Sequence, residues 1–145
     1  MSLKSVYLDT SALVKRYVIE QETDRIDGIY EESYSGRLIL GFSVWNVGEV
    51  AVVLDKYEKR GIVKDAKDVF SKFIGESHLL SKLNQLKVVP MSFKVVMDAV
   101  NYVFKHGIYM ADAVQIASAK NFDALLTYDK KLAQIASIEG LNIVQ

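Results

Sequence analysis

The strongest constraint on this chain is the kind of apolar run it contains. Val6-Tyr7-Leu8, Leu38-Ile39-Leu40-Gly41-Phe42, Lys87-Val88-Val89-Pro90, Ala124-Leu125-Leu126-Thr127 and residues 141–144 are short and rich in strand formers, and they barely alternate with polar residues. A strand with one wet face alternates. A strand covered on both faces reads as an unbroken apolar run, the mark of a parallel sheet between helices. Pro90 closes the third run, where a missing N–H does least harm. Parallel neighbours need crossover connections, and each segment between these runs carries helical spacing. The fold class expected is therefore α/β, in three layers with a parallel sheet of about five strands.

The helical segments are expected as follows. Residues 12–18 follow the first strand, with Thr10 or Ser11 as the cap. Ile26, Ile29 and Tyr30 mark a second helix at i, i+3, i+4 spacing. Ser43 caps a long helix running to Arg60, with Gly61 just past its end. Another runs from about Lys64 to about Leu86, open to a break at Gly75. Ser92 caps a helix carrying Val96, Ala99, Val100, Val103 and Phe104, and Gly107 closes it. Residues 110–120 form one more, and Leu132, Ile135 and Ala136 mark a last short one, stopped by Gly140.

At 145 residues this reads as one domain over 1–145. Half the residues are apolar, a quarter charged, and there is one proline, which excludes disorder and low complexity. Cysteine is absent, so a disulfide framework, cysteine–zinc sites and a thiol nucleophile are excluded. No apolar run approaches the roughly 20 residues of a membrane helix, and the first residues lack the apolar core of a secretion signal. The expectation is a cytoplasmic protein without a membrane partner. Basic and acidic residues balance at 18 each, which argues against a histone-like binder. A nucleic-acid enzyme needs only a local positive rim.

Ligands of open α/β sheets bind beyond the carboxyl ends of the strands. Four acids stand there. Asp9 follows the first strand directly, and Asp129 follows the fourth. Glu49 lies six positions past the cap Ser43, in Val47-Gly48-Glu49-Val50-Ala51-Val52-Val53-Leu54. Asp112 opens the nearly apolar helix Met110-Ala111-Asp112-Ala113-Val114-Gln115-Ile116-Ala117-Ser118-Ala119. An acid in such surroundings needs a partner or a metal. Carboxylates converging without bases repel one another, and a hard cation such as Mg²⁺ or Mn²⁺ relieves that. Such a site activates water and orients a phosphodiester. Taken singly, each acid also has a structural reading, as a helix cap or, for Glu49, as a partner of Lys56 or Arg60.

Four blocks then resemble PIN-domain nucleases. Tyr7-Leu8-Asp9-Thr10-Ser11-Ala12-Leu13-Val14-Lys15 is similar to their opening motif, and Glu49 in its apolar helix to their second acid. The run 112–119 resembles their third block, and Asp123-Ala124-Leu125-Leu126-Thr127-Tyr128-Asp129-Lys130-Lys131-Leu132 their fourth. By size and pattern the nearest subgroup is the VapC-like toxins. The resemblance implies sheet order 3-2-1-4-5, with Asp9, Glu49, Asp112 and Asp129 as catalytic metal ligands. It also implies Mg²⁺- or Mn²⁺-dependent cleavage of single-stranded RNA, a homodimer and an antitoxin partner. The lead-in Gly107-Ile108-Tyr109-Met110 departs from the more polar one of many members, which bears on substrate choice.

Around the acids, Ser11 and Thr127 are candidate supporting hydroxyls, for a water or a phosphate or simply as caps. Lys15, Arg16 and Lys130 are candidate RNA phosphate contacts. His78 and His106 fall far from the acidic blocks. A dehalogenase-type phosphatase needs a second Asp where Ser11 stands, a receiver domain needs paired acids at the first strand, and a phosphate loop needs glycines that Asp9-Thr10-Ser11 lacks. The remaining alternative is a PIN-like binding or assembly module with a silent metal site. Trp45, Tyr57, Phe70, Phe73, Leu79, Leu80 and Leu83 are candidates for a self-association face.

Overall fold

The computed structural model describes residues 3–144. The chain runs β1 (Ser5–Leu8), α1 (Thr10–Tyr17), α2 (Thr23–Tyr34), β2 (Ile39–Ser43), α3 (Val44–Lys59), α4 (Ala66–Lys82), β3 (Leu86–Val89), α5 (Phe93–His106), α6 (Met110–Ala119), β4 (Ala124–Leu126) and α7 (Lys130–Ile138). The strands form a parallel sheet in the order β3-β2-β1-β4. Tyr7 of β1 sits level with Gly41 of β2 and Leu125 of β4.

The expected fifth strand shrinks to one bridge, between Leu125 and Ile143. The Leu125 N–H donates to the Asn142 carbonyl at 2.8 Å, and the Val144 N–H to the Leu125 carbonyl at 2.9 Å. β4 has only three residues, so it offers no longer ladder. The run still lies where order 3-2-1-4-5 puts it.

Side chains of β1 alternate between two cores. Val6 and Leu8 pack with Leu13, Leu40, Phe42, Leu54, Phe73 and Leu80 under α1–α4. Tyr7 and Leu125 pack with Ala99, Tyr102, Val114 and Ile116 under α5–α7. Both faces of the strand are covered, which is why it shows no polar alternation.

Several expectations are corrected. Asp9, not Thr10 or Ser11, caps α1, so the helix begins at Thr10. The helix expected over 64–86 is α4, capped by Asp65 and continuous through Gly75, whose position faces open space. It stops at Lys82, where Asn84 takes a left-handed conformation (φ 60°) before β3. Gly61 and Gly107 do adopt positive φ at the ends of α3 and α5. Phe73 and Leu80 lie in the core and are unavailable to a partner, with Phe73 stacked among Tyr17, Phe42 and Phe70 at 5.4–5.9 Å between ring centres. Trp45, Leu79 and Leu83 are exposed, as a self-association face would need, and Tyr57 and Phe70 are half-buried. A further exposed apolar stripe, on α5, carries Phe93 (81%), Met97 and Phe104 (85%).

One glycine is required by contact. A Cβ on Gly41 would lie 2.1 Å from the Phe122 ring. That ring meets Tyr7 edge-on at 5.5 Å, so it closes the sheet face exactly where β2 passes β1.

Candidate active site

β1 ends at the centre of the sheet, and the chain turns at once into α1. Asp9 makes that turn. It is 5% exposed, and its Oδ1 accepts the Ala12 N–H at 3.0 Å as the helix cap. Two hydroxyls hold its carboxylate. Ser11 Oγ donates to Oδ1 at 2.6 Å, and Thr127 Oγ1 donates to Oδ2. Each hydroxyl is itself anchored from the neighbouring strand end: Ser11 accepts the Tyr128 N–H at 2.9 Å, and Thr127 accepts the Asp129 N–H at 3.0 Å. Ser11 and Thr127 therefore orient Asp9 and tie the end of β1 to the end of β4.

Asp129 caps α7 through the Leu132 N–H at 3.1 Å. Asp112 stands half-buried in the first turn of α6. Glu49, on the second turn of α3, accepts the Thr10 hydroxyl at 2.9 Å. Among the described residues it forms no ion pair with Lys56 or Arg60. Behind Thr10 lies a buried polar group: Asn46, Gln115 and Tyr7.

All four acids line one cavity of about 800 Å³, with Ser11, Trp45, Lys15 and Lys56 also in its wall. Burial pushes the Asp9 carboxyl above the usual carboxylate range; the bonds from Ser11, Thr127 and Ala12 oppose this, and the charge of Asp129 adds to it. Asp112 is raised too, by burial first and by Asp129 second. Acids outnumber the two lysines in this wall, and the fold disfavours the charged forms of Asp9 and Asp112 when nothing is bound between them.

Among the described residues, no three acids stand close enough to form a ligand group unaided. The donors nonetheless fit Mg²⁺ or Mn²⁺. They are all oxygens, and these hard ions bind through one or two carboxylates while keeping several waters. Asp9 also keeps acceptor capacity. Asp9 Oδ1 already accepts two bonds, but Oδ2 accepts only one.

The basic candidates divide. Lys15 lines the cavity, 4.7 Å over the Tyr128 ring and 3.6 Å from Glu20. Lys130 is exposed and outside the wall. Arg16 is corrected: its guanidinium binds Glu76 through two bonds of 2.8–2.9 Å and Asp27 at 2.8 Å, so it pins α1 to α4 and α2 rather than meeting a phosphate. Lys56 and Trp45 line the cavity and were not singled out there from sequence. Neither histidine does; His106 pairs with Glu139 at 2.6 Å.

A cavity walled by Asp9, Glu49, Asp112 and Asp129, with Glu20 beside them, at the carboxyl end of a parallel sheet defines a class of oxygen-donor sites, and the chain belongs to the PIN-domain family, whose profile matches residues 6–138. The fold is similar to two solved structures. One is VapBC2 from Rickettsia felis, bound to a DNA fragment from its promoter (17% identity, 97% of each chain, TM-score 0.62). The other is Mycobacterium tuberculosis VapC20, a toxin that cleaves the sarcin–ricin loop (12% identity, 94% of this chain and 95% of that one, TM-score 0.65). No curated protein matches the sequence.

Proposed function

We propose that the chain is a Mg²⁺- or Mn²⁺-dependent endoribonuclease that cleaves single-stranded RNA, and that it is the toxin of a toxin–antitoxin pair. The carrying observation is the clamped Asp9, which lines one cavity with Glu49, Asp112 and Asp129. Asp9, Glu49, Asp112 and Asp129 would hold the ion. When bound, it supplies Lewis-acid activation of water and neutralises charge in an in-line displacement. The chain's own part is positional. Ser11 and Thr127 fix Asp9 from two sides, and Lys15 and Lys56 bring positive charge to the rim for a phosphate backbone.

The same acidity suits an antitoxin segment. An Arg or Lys of a partner would bind these carboxylates by charge-assisted hydrogen bonds and compete with the cation. Action in the cytoplasm and a homodimer belong to this reading. The α5 stripe of Phe93, Met97 and Phe104 is one apolar surface open to pairing, and Phe104→Glu should shift a dimer built on it toward monomer in light scattering.

Single-stranded RNA should be cut in Mg²⁺ or Mn²⁺, spared in EDTA and spared by Asp9→Asn. Cleavage that persists in EDTA would falsify the mechanism. The rival reading is a metal-silent binding module, favoured by the absence of a ready-made ligand triad among the described residues. Calorimetry with Mn²⁺ separates the two: no Mn²⁺ heat in the wild type supports the rival.

A further inference from the structure

We propose that Asn46 and Thr10 form a positioning relay that aims Glu49 at the cavity; the inference rests on Glu49 being a metal ligand as read above. Asn46 is wholly buried at the third helical position of α3. Its Oδ1 accepts the Ser43 backbone N–H at 2.7 Å, closing the capping box of that helix. A backbone N–H can only donate, so the amide has one orientation: oxygen toward Ser43, nitrogen toward the site. The two Nδ2 hydrogens then go to Thr10 Oγ1 at 3.0 Å and Gln115 Oε1 at 2.9 Å. Tyr7 adds a hydroxyl 2.9 Å from Asn46 Oδ1. The one proton of that hydroxyl is shared with Gln115 Oε1, also at 2.9 Å, and both Asn46 amide donors are used.

The direction of this chain matters. Thr10 Oγ1 accepts a hydrogen bond from Asn46 Nδ2, so its own O–H is free to donate to Glu49 Oε1 at 2.9 Å. With the amide reversed, Thr10 would donate to Asn46 and Glu49 would lose its donor. The helix cap of α3 thus sets the hydrogen-bond polarity at a carboxylate two turns further along. It also ties α3 to the first residue of α1, next to Asp9. Glu49 Oε1 is held by the relay, which leaves Oε2 for a ligand. Partners behind a metal-binding carboxylate commonly change metal affinity by 10–100-fold.

The test uses the full chain and Mn²⁺ alone, with affinity read by calorimetry and folding by thermal melts in EDTA. Thr10→Val removes the hydroxyl and should weaken Mn²⁺ binding about tenfold or more. Thr10→Ser keeps the hydroxyl and should stay within about twofold of wild type, a rescue that loss of packing alone would not give. Asn46→Ala should weaken binding as Thr10→Val does; if it fails to fold, Thr10→Val carries the test, because it removes the same relay from the other end. In a Glu49→Gln background, Thr10→Val should cost nothing further. If Glu49→Gln weakens binding while Thr10→Val does not, or if the two losses add, the relay is overturned. If Glu49→Gln binds Mn²⁺ like wild type, the metal role of Glu49 falls, and the relay with it.

Discussion

Replacing Asp9 by Asn and by Ala separates its two duties. Both changes delete the buried charge, so the relief of that charge cancels when the variants are compared with each other. What differs is hydrogen bonding. Asn keeps an oxygen for the Ala12 N–H and is as good a cap as Asp; Ala loses the cap, at about 1 kcal/mol. Ala also strands the hydroxyl proton of Ser11, at about 1 kcal/mol, the low end because that hydroxyl still accepts a backbone N–H. The Thr127 proton loses its acceptor in both variants, because the Asn amide nitrogen stands where Oδ2 was, and it cancels. The two variants should therefore differ by about 2 kcal/mol, which at about 3 °C per kcal/mol for a chain of this size is about 6 °C in melting temperature. Calorimetric melts in EDTA measure it. Asp9→Asn should melt at or above wild type, since burial raises the Asp9 pKa and the charged form costs stability. Neither variant should show the Mn²⁺-induced rise expected of the wild type. Equal melting of the two variants would refute the clamp, and a wild-type-sized Mn²⁺ rise in Asp9→Asn would refute the ligand role.

Other outcomes follow from the same geometry. Asp112 has a raised pKa in the fold, so its ionisation costs stability as pH climbs through that value; Asp112→Asn should raise the metal-free melting temperature at pH 7 by at most roughly a few degrees, because the side chain is only partly buried, and the gain should vanish near pH 3, where wild type is protonated too. A gain that persists undiminished in acid would contradict the electrostatic cause. Arg16→Ala leaves half-buried Glu76 without its cation and should cost about 2 kcal/mol, near 6 °C, whereas Lys130→Ala should leave the melt unmoved. If Arg16→Ala lost RNA binding at an unchanged melting temperature, its structural assignment would be wrong. Gly41→Ala should cost about 1–3 kcal/mol by overpacking against Phe122, and chemical denaturation should show part of that recovered in a Phe122→Leu background.

The sheet was legible because burial on both faces leaves a mark that one residue type after another repeats: Val6, Tyr7, Leu8 and Ala124, Leu125, Leu126 have no polar partner to break the run. The four acids were legible as a group because strand ends share one edge, and Asp9, Glu49, Asp112 and Asp129 do share a cavity wall. Their exact spacing was not, since it depends on how α3 and α6 tilt against the sheet. The relay behind Glu49 was hidden for a different reason. Asn46 meets Thr10 and Gln115 across 36 and 69 positions, and no periodicity encodes such a meeting. Only its first link was readable, as the Ser43 and Asn46 pair of a capping box. Arg16 was misjudged likewise, because Glu76 stands 60 positions away. Phe73 and Phe104 show the limit for helices. Both sit on apolar stripes, yet one packs into the core and the other faces out, and that depends on which neighbour each stripe meets.

The order β3-β2-β1-β4 has a consequence for how the chain is made. β1 is synthesised first and lies in the interior of the sheet, yet its second neighbour, β4, comes near the end. Thr127, which clamps Asp9, lies 118 positions downstream of it. At about 5–20 residues per second, a nascent chain spends several seconds with one edge of β1 open and Asp9 held from one side only. Chains cut short before β4 carry three of the four acids but neither Thr127 nor Asp129. The cavity is thus a late product of translation, and a chain cut short before β4 has neither the second clamp on Asp9 nor the full acidic wall.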